Sequence, residues 1–469
     1  MLAKFMEKTL LYEALLTLST TERRHFAKFV QSPFFNQKAA AVALFVYLLH
    51  HLEQKTLPQA QEAFKAAFPN LAFDDAKLRL LNSHLLALLE HFWMYQAHFA
   101  VPEQTKIQLA SEYRKRNLPK HFQIALREAR AARVAQPWRD AHYFDDLYYM
   151  EWEQYQFDAA SRRTDVLNLQ ETSDQMDRAF LIKKLRLACL ALSHQAVYKT
   201  EYHIGLSAPV LALAATQLEF PAIGLYYHCH CFLSDTAPLT HFTQFTAMLL
   251  VHSAVLPADE LRTLHLLAIN FGIKRINQSQ EDWLDLTFNL YKSALERDLL
   301  LENNLLSRFA FNNIVAIALR VGALQWASEF ITQFKPRLER QFREATADLN
   351  LARVAYARKD FGAAIQHLQR ADYKDMMNNL TAKTLQLKIY YETEAFDLLE
   401  SHLASMKTFI RRHTAIGYHR TNYSKIVYYT QQLMQLLPRN TVEIAALRTK
   451  IQEEPVLTEK VWLLEQLDK

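Results

Sequence analysis

Glycine is nearly absent, with 6 in 469 residues, and 13 prolines are also few, against usual shares of about 7% and 5%. A chain so poor in both has little means of building tight turns, hairpins or collagen-like segments, where those residues supply the special backbone angles. The glycines are Gly205, Gly224, Gly272, Gly322, Gly362 and Gly417, and no two lie closer than 19 residues. Neither a glycine-rich phosphate cradle nor a dinucleotide fingerprint can be written with that spacing, so most nucleotide-dependent enzyme classes lose their main support. Cysteine is scarce as well. Cys189, Cys229 and Cys231 are too few for a disulfide framework and suit a reducing compartment, which makes the cytoplasm the expected address. The longest apolar run, Ala39 to Leu49, has 11 residues, short of the roughly 20 that cross a bilayer. Lys4, Glu7, Lys8 and Glu13 break up the first apolar stretches, which predicts a helix there and no signal-peptide core.

What is present is helical periodicity almost throughout, in a chain that is 50% hydrophobic and 22% charged. Ser19-Thr20-Thr21-Glu22 reads as a capping box opening a helix to about Gln31, and Pro33 in the turn Ser32 to Asn36 ends it. A second helix is predicted from about Lys38 to Glu53. A long one follows from Lys77 to about His98 after an Asp74 or Asp75 cap, with Leu78, Leu81, Leu85, Leu88, Leu89 and Phe92 as its packing stripe. Further on, Pro102, Pro119, Pro137, Pro209, Pro221, Pro238 and Pro257 punctuate the helices, and no strand-like alternation interrupts them. Tyr148, Trp152 and Tyr155 fall at i, i+4 and i+7, which predicts a core stripe in preference to a cofactor box.

The C-terminal third carries the clearest internal repeat. Leu351, Ala352, Ala355, Phe361, Ala364, Leu368 and Ala371 follow the small-and-large spacing of a tetratricopeptide (TPR) helical hairpin, with Lys359-Asp360-Phe361 at its turn. Leu387, Tyr390, Phe396, Leu399, Leu403 and Met406 repeat it 35 residues on, and Val315, Ala318, Leu324, Ala327, Ile331 and Phe334 precede it by 37. The proline usual at the repeat's end is missing, so the repeats are degenerate. The expected fold is all-α, an α-solenoid of stacked helical hairpins behind an N-terminal helical region. Its parts are residues 1–100, a helical-hairpin array over 101–270, TPR-like repeats over 271–440 and capping helices over 441–469. The segments SPFFNQ (32–37), AFPNLAFDDAKLRLLNSHLLALLEHF (67–92), FIRRH (409–413) and VWLLEQL (461–467) resemble a family of uncharacterised bacterial helical-repeat proteins. These are packing and turn motifs, so the resemblance implies a fold and carries no catalytic residue across.

A search for chemistry returns little. There is no nucleophile elbow and no zinc-binding His-Glu-x-x-His, and the one Glu-x-x-His pair, Glu22 with His25, spends its glutamate on the cap. His228-Cys229-His230-Cys231 holds soft metal ligands. On a helix only His228 and Cys231 share a face, and closure of a zinc site would need His241 or His252 from another helix. No metal and no cofactor is expected. The charge pattern says more. Between Glu400 and Glu443 there is no acidic residue, while Lys407, Arg411, Arg412, Arg420, Lys425 and Arg439 are interleaved with Tyr418, Tyr423, Tyr428 and Tyr429. A second basic run, Arg114, Lys115, Arg116, Lys120, Arg127, Arg130 and Arg133, is offset by Glu112 and Glu128 and reads as a solvated face.

The sequence therefore predicts a non-enzymatic scaffold that binds a protein or peptide partner, with Arg411, Arg412, Arg420, Lys425, Tyr418 and Tyr423 as the anion-receiving set. The alternative is a nucleic-acid-associated protein that turns the basic, Tyr-rich segment 405–429 toward phosphates.

Overall fold

Local signals set most helix boundaries. The computed structural model describes residues 6–161, 166–198, 200–278, 280–370, 376–412, 419–436, 441–454 and 457–468. Within them the chain is all-α apart from one minimal hairpin, and no helix is long and apolar enough to cross a membrane. Contacts divide the chain within one long helix into two compact units, Met1–Leu181 and Ile182–Lys469.

The first unit opens with α1 (Leu10–Leu16), α2 (Thr20–Gln31), α3 (Ala39–Gln54), α4 (Ala60–Ala67) and α5 (Asp75–Phe99). The capping box at α2 forms in full: Ser19 Oγ accepts from the Glu22 amide at 3.3 Å and Glu22 accepts from the Ser19 amide at 2.8 Å. Asp74 caps α5 by accepting from the Lys77 amide. The six-residue stripe read from the α5 sequence is buried along its whole length, against Phe26, Phe45 and Leu48. Then come α6 (Pro102–Lys115), α7 (Pro119–Ala135), α8 (Ala141–Ser161) and α9 (Leu169–Tyr198). Pro102 and Pro119 stand in first turns, where the missing amide costs nothing.

Two readings of this unit are corrected. Tyr148, Trp152 and Tyr155 stack on one another, with centroids 6.5 and 5.3 Å apart, but Trp152 remains 38% exposed. With Tyr148 and Tyr155 half-buried beside it, the three are no core stripe. The basic run is a solvated face only in part. Arg114 pairs with Glu153 and Arg130 with Glu151, whereas Arg133 is 4% exposed and faces Glu103 at 3.1 Å, Asp140 at 3.5 Å and Asp146 at 3.5 Å. Burial pushes the Asp146 carboxyl up to about 6 against the pull of Arg133.

The second unit continues from α9 with α10 (Ser207–Ala214), α11 (Pro221–Leu233), α12 (Pro238–His252), α13 (Ala258–Asn277) and α14 (Leu284–Glu296). Gly272 marks a close helix approach, since a Cβ there would collide with the Thr287 side chain on α14. Two-residue strands β1 (Leu301–Glu302) and β2 (Leu305–Leu306) then pair antiparallel, an element the sequence reading lacked. Asn303 and Asn304 both take positive φ, which asparagine tolerates and a two-residue hairpin turn requires.

From here helices come as pairs: α15 (Arg308–Arg320) with α16 (Leu324–Phe334), α17 (Arg343–Ala357) with α18 (Phe361–Arg370), and α19 (Met376–Glu392) with α20 (Phe396–Arg412). The three connecting turns are alike. Gly322, Lys359 and Glu394 take φ of 77°, 61° and 57°, and the next amide reaches back to Ala318, Ala355 and Tyr390 at 2.8 to 2.9 Å. This is the left-handed C-cap that satisfies the last carbonyls of a helix. After each turn the same two positions are buried: Ala327 and Ile331, Ala364 and Leu368, Leu399 and Leu403. Helices α21 (His419–Gln435), α22 (Thr441–Glu453) and α23 (Lys460–Asp468) close the chain over a core that includes Leu403, Ile426, Ile451 and Leu463. Ala371 of the repeat pattern lies outside the described residues.

Candidate functional site

The basic segment does not form one patch. Arg411 and Arg412 are exposed on the last turn of α20, and Arg420 is exposed on α21. Lys425 is ion-paired with Glu454, which also accepts from the Tyr429 hydroxyl at 2.9 Å. Those two donors hold the Glu454 carboxyl below its ordinary range, while burial and the Glu454 charge push Tyr429 up to about 12. Arg420, Lys425, Tyr428 and Tyr429 edge a shallow hollow of 400 Å³ whose charge Glu454 partly cancels. Tyr423 is only 7% exposed and packs inward. Tyr418 lies outside the described residues.

Tyr423 instead helps line a cavity of 470 Å³ built by α15, α17, α19, α21 and the residues just before α23. Helical spacing brings its wall together: Arg353 and Tyr356 are i, i+3 on α17, and Thr381, Thr384 and Lys388 are i, i+3 and i+7 on α19. Lys388 pairs with Glu459 at 2.7 Å and lies 4.7 Å from the centre of the Tyr356 ring, a cation–π contact. Glu392 anchors the neighbourhood, accepting from the Tyr356 hydroxyl, from Trp462 Nε1 at 2.9 Å and from Lys359 at 2.8 Å.

Arg353 is the outlier. Its guanidinium touches the Asn312 carbonyl at 3.5 Å and Asn350 Oδ1 at 3.4 Å, both at the limit of a hydrogen bond. Among the described residues no carboxylate lies within ion-pair distance of it. Burial pushes its pKa below the ordinary arginine value, with Glu459 acting in the opposite direction. The asparagines beneath are held by one another, Asn350 donating to Asn312 at 2.7 Å and Asn312 to Asn378 at 3.3 Å. Thr384, 4% exposed, has a buried hydroxyl without a hydrogen-bond partner. Of the residues lining the cavity, only Tyr423 stands out in the sequence. A polar residue every three or four positions is the ordinary outer face of an amphipathic helix, and only the tertiary arrangement makes that face an inner wall.

The His-Cys cluster is placed differently. His228 and Cys231 are both buried on α11, and His228 Nδ1 meets His241 Nδ1 of α12 at 2.9 Å. Burial, with His241 beside it, presses His228 down to about 4. Burial also raises the thiols of Cys229 and Cys231, which disfavours the nucleophilic thiolate. Among the described residues no group of three or more His, Cys, Asp or Glu is set to hold a metal ion. Compared with protein-family models, curated proteins and solved structures, the chain finds no match among any of them.

Proposed function

We propose that the chain is a non-enzymatic, TPR-like helical-repeat scaffold of the cytoplasm whose groove binds a segment of a protein partner. The observation that carries this reading is the recurrence of one turn and one pair of buried positions at intervals of 37 and 35 residues. Stacked hairpins of this kind bury a continuous core and leave the first helix of each pair facing a groove. The first helices α15, α17 and α19 are the ones that wall the 470 Å³ cavity, whose size falls within the range of ligand pockets. The sequence resemblance to bacterial helical-repeat proteins bears only on the fold in this reading.

Selection of a displayed random-peptide library on the full chain tests it. The expected result is a set of enriched linear peptides with dissociation constants of about micromolar or tighter, weakened about tenfold or more by Thr381→Trp, which fills the cavity. Failure of any sequence to enrich, or indifference of the selected peptides to that substitution, would overturn the reading.

A second reading takes the basic segment as a contact for nucleic acid. It is favoured by Arg411, Arg412 and Arg420, which are exposed and have no ion pair among the described residues. Phosphate contact would make affinity fall steeply between about 50 and 200 mM salt, and alanine at the three arginines would flatten that slope.

A further inference from the structure

We propose that the 470 Å³ cavity receives an acidic side chain of a bound peptide, its carboxylate taken by the guanidinium of Arg353 beside the ammonium of Lys388; the proposal rests on the peptide-binding reading above. Four observations point to that chemistry. Arg353 presents five N–H donors and spends them on two contacts at 3.4 and 3.5 Å, neither to a carboxylate. A planar guanidinium on a cavity wall with donors to spare is matched by the two oxygens of a carboxylate, which it can bind in a fork.

The chain also supplies its own stand-in. Glu459 reaches Lys388 at 2.7 Å and lines the same cavity, so a carboxylate is a group this wall already accepts. Its hold is modest: the Glu459 side chain is 36% exposed and its backbone takes φ of 58°, a left-handed conformation unfavourable for glutamate.

Charge balance selects among anions. Arg320 on the rim is matched by Glu281, and Lys388 by Glu459, which leaves Arg353 without a carboxylate at ion-pair distance and the lining one positive charge in excess. One carboxylate cancels it, whereas a phosphate dianion would bring excess negative charge against Glu459. Finally, the hydroxyl of Thr384 on the cavity lining has no partner and offers a donor and an acceptor to a peptide backbone next to the acidic side chain, whereas Thr381 already donates to the Met377 carbonyl at 2.9 Å.

Fluorescence anisotropy of the full chain tests this with a fluorescein-labelled octapeptide of alternating leucine and glutamate, and with its glutamine counterpart. The glutamate peptide is expected to bind about tenfold tighter than the glutamine one, and Arg353→Gln to erase the difference while Arg353→Lys retains part of it. Glu459→Gln removes the internal competitor, so it tightens the glutamate peptide severalfold and leaves the glutamine peptide unchanged. That gain is one a merely structural residue would not give, and it decides the matter even where the Arg353 variants fail to fold. Equal binding of the two peptides would overturn the carboxylate proposal and leave the peptide reading standing; binding of neither would overturn both. Displacement of the peptide by millimolar inorganic phosphate with Glu459 in place would overturn it in favour of a phosphoryl ligand.

Discussion

Two arginines, one in each compact unit, keep opposite company, Arg133 buried and Arg353 half-buried. Arg133, in the first unit, faces three carboxylates that are themselves less than 10% exposed. Arg353, in the second, faces amide oxygens at the limit of contact. The first is consumed by the fold, since Glu103 on α6, Asp140 before α8 and Asp146 on α8 converge on it from α7's neighbours. The second leaves donors on a cavity wall. The difference teaches that burial of a charge does not mark a site; the absence of a partner does.

Removing each arginine breaks the comparison most directly. Arg133→Met strands three buried carboxylates and is expected to cost about 3–5 kcal/mol in urea unfolding, whereas Arg353→Met should cost no more than about 1 kcal/mol. Equal losses would make both arginines structural.

Acid titration sharpens the contrast between the units. The Asp146 carboxyl, raised to about 6, contributes stability fully below about pH 4, and this is lost as pH rises through 6. His228, lowered to about 4, contributes above about pH 6.5 and loses that contribution as pH falls through 4. Each amounts to about 3 kcal/mol. Unfolding at stepped pH should therefore show Asp146→Asn and His228→Gln flattening slopes of opposite sign.

Close packing in the second unit gives a third measure. Gly272→Ala drives a methyl into the Thr287 hydroxyl and is expected to lower stability by about 1–3 kcal/mol, a loss that Thr287→Ala, removing that hydroxyl, should partly restore. The smallest effect tests whether the helix pairs share one turn. Gly322→Ala should destabilise and Glu394→Gly should stabilise, each by about 1 kcal/mol, because both positions hold the same left-handed conformation and only one carries the residue suited to it.

Much of the fold was legible because its signals are local. The Ser19–Glu22 box, the Asp74 cap and the first-turn prolines at 102, 119, 221 and 238 act within four residues of themselves, and each stands where a helix begins. The turn at Lys359-Asp360-Phe361 was legible from the repeat spacing, but its left-handed angle was not, since at Lys359 and Glu394 the hydrogen bonds of the C-cap impose an angle those residues do not prefer. The Asn303-Asn304 hairpin escaped for a similar reason, being too short to show alternation. The site was the least legible part. Arg411 and Arg412 are visible as a charge run, but Lys425 is met by Glu454 from 29 residues away and Tyr423 turns into the core. Arg353 has no sequence signature at all, because what distinguishes it is the carboxylate that no neighbouring helix supplies.

The measurement that bears most directly on this contrast is a side-chain NMR titration of the chain labelled with ¹⁵N-arginine, following the Nε–H signals of Arg353 and Arg133 as the leucine–glutamate peptide is added. The account predicts that the Arg353 signal shifts saturably while the Arg133 signal stays in place. A stationary Arg353 signal at peptide saturation, or equal shifts of both, would contradict it.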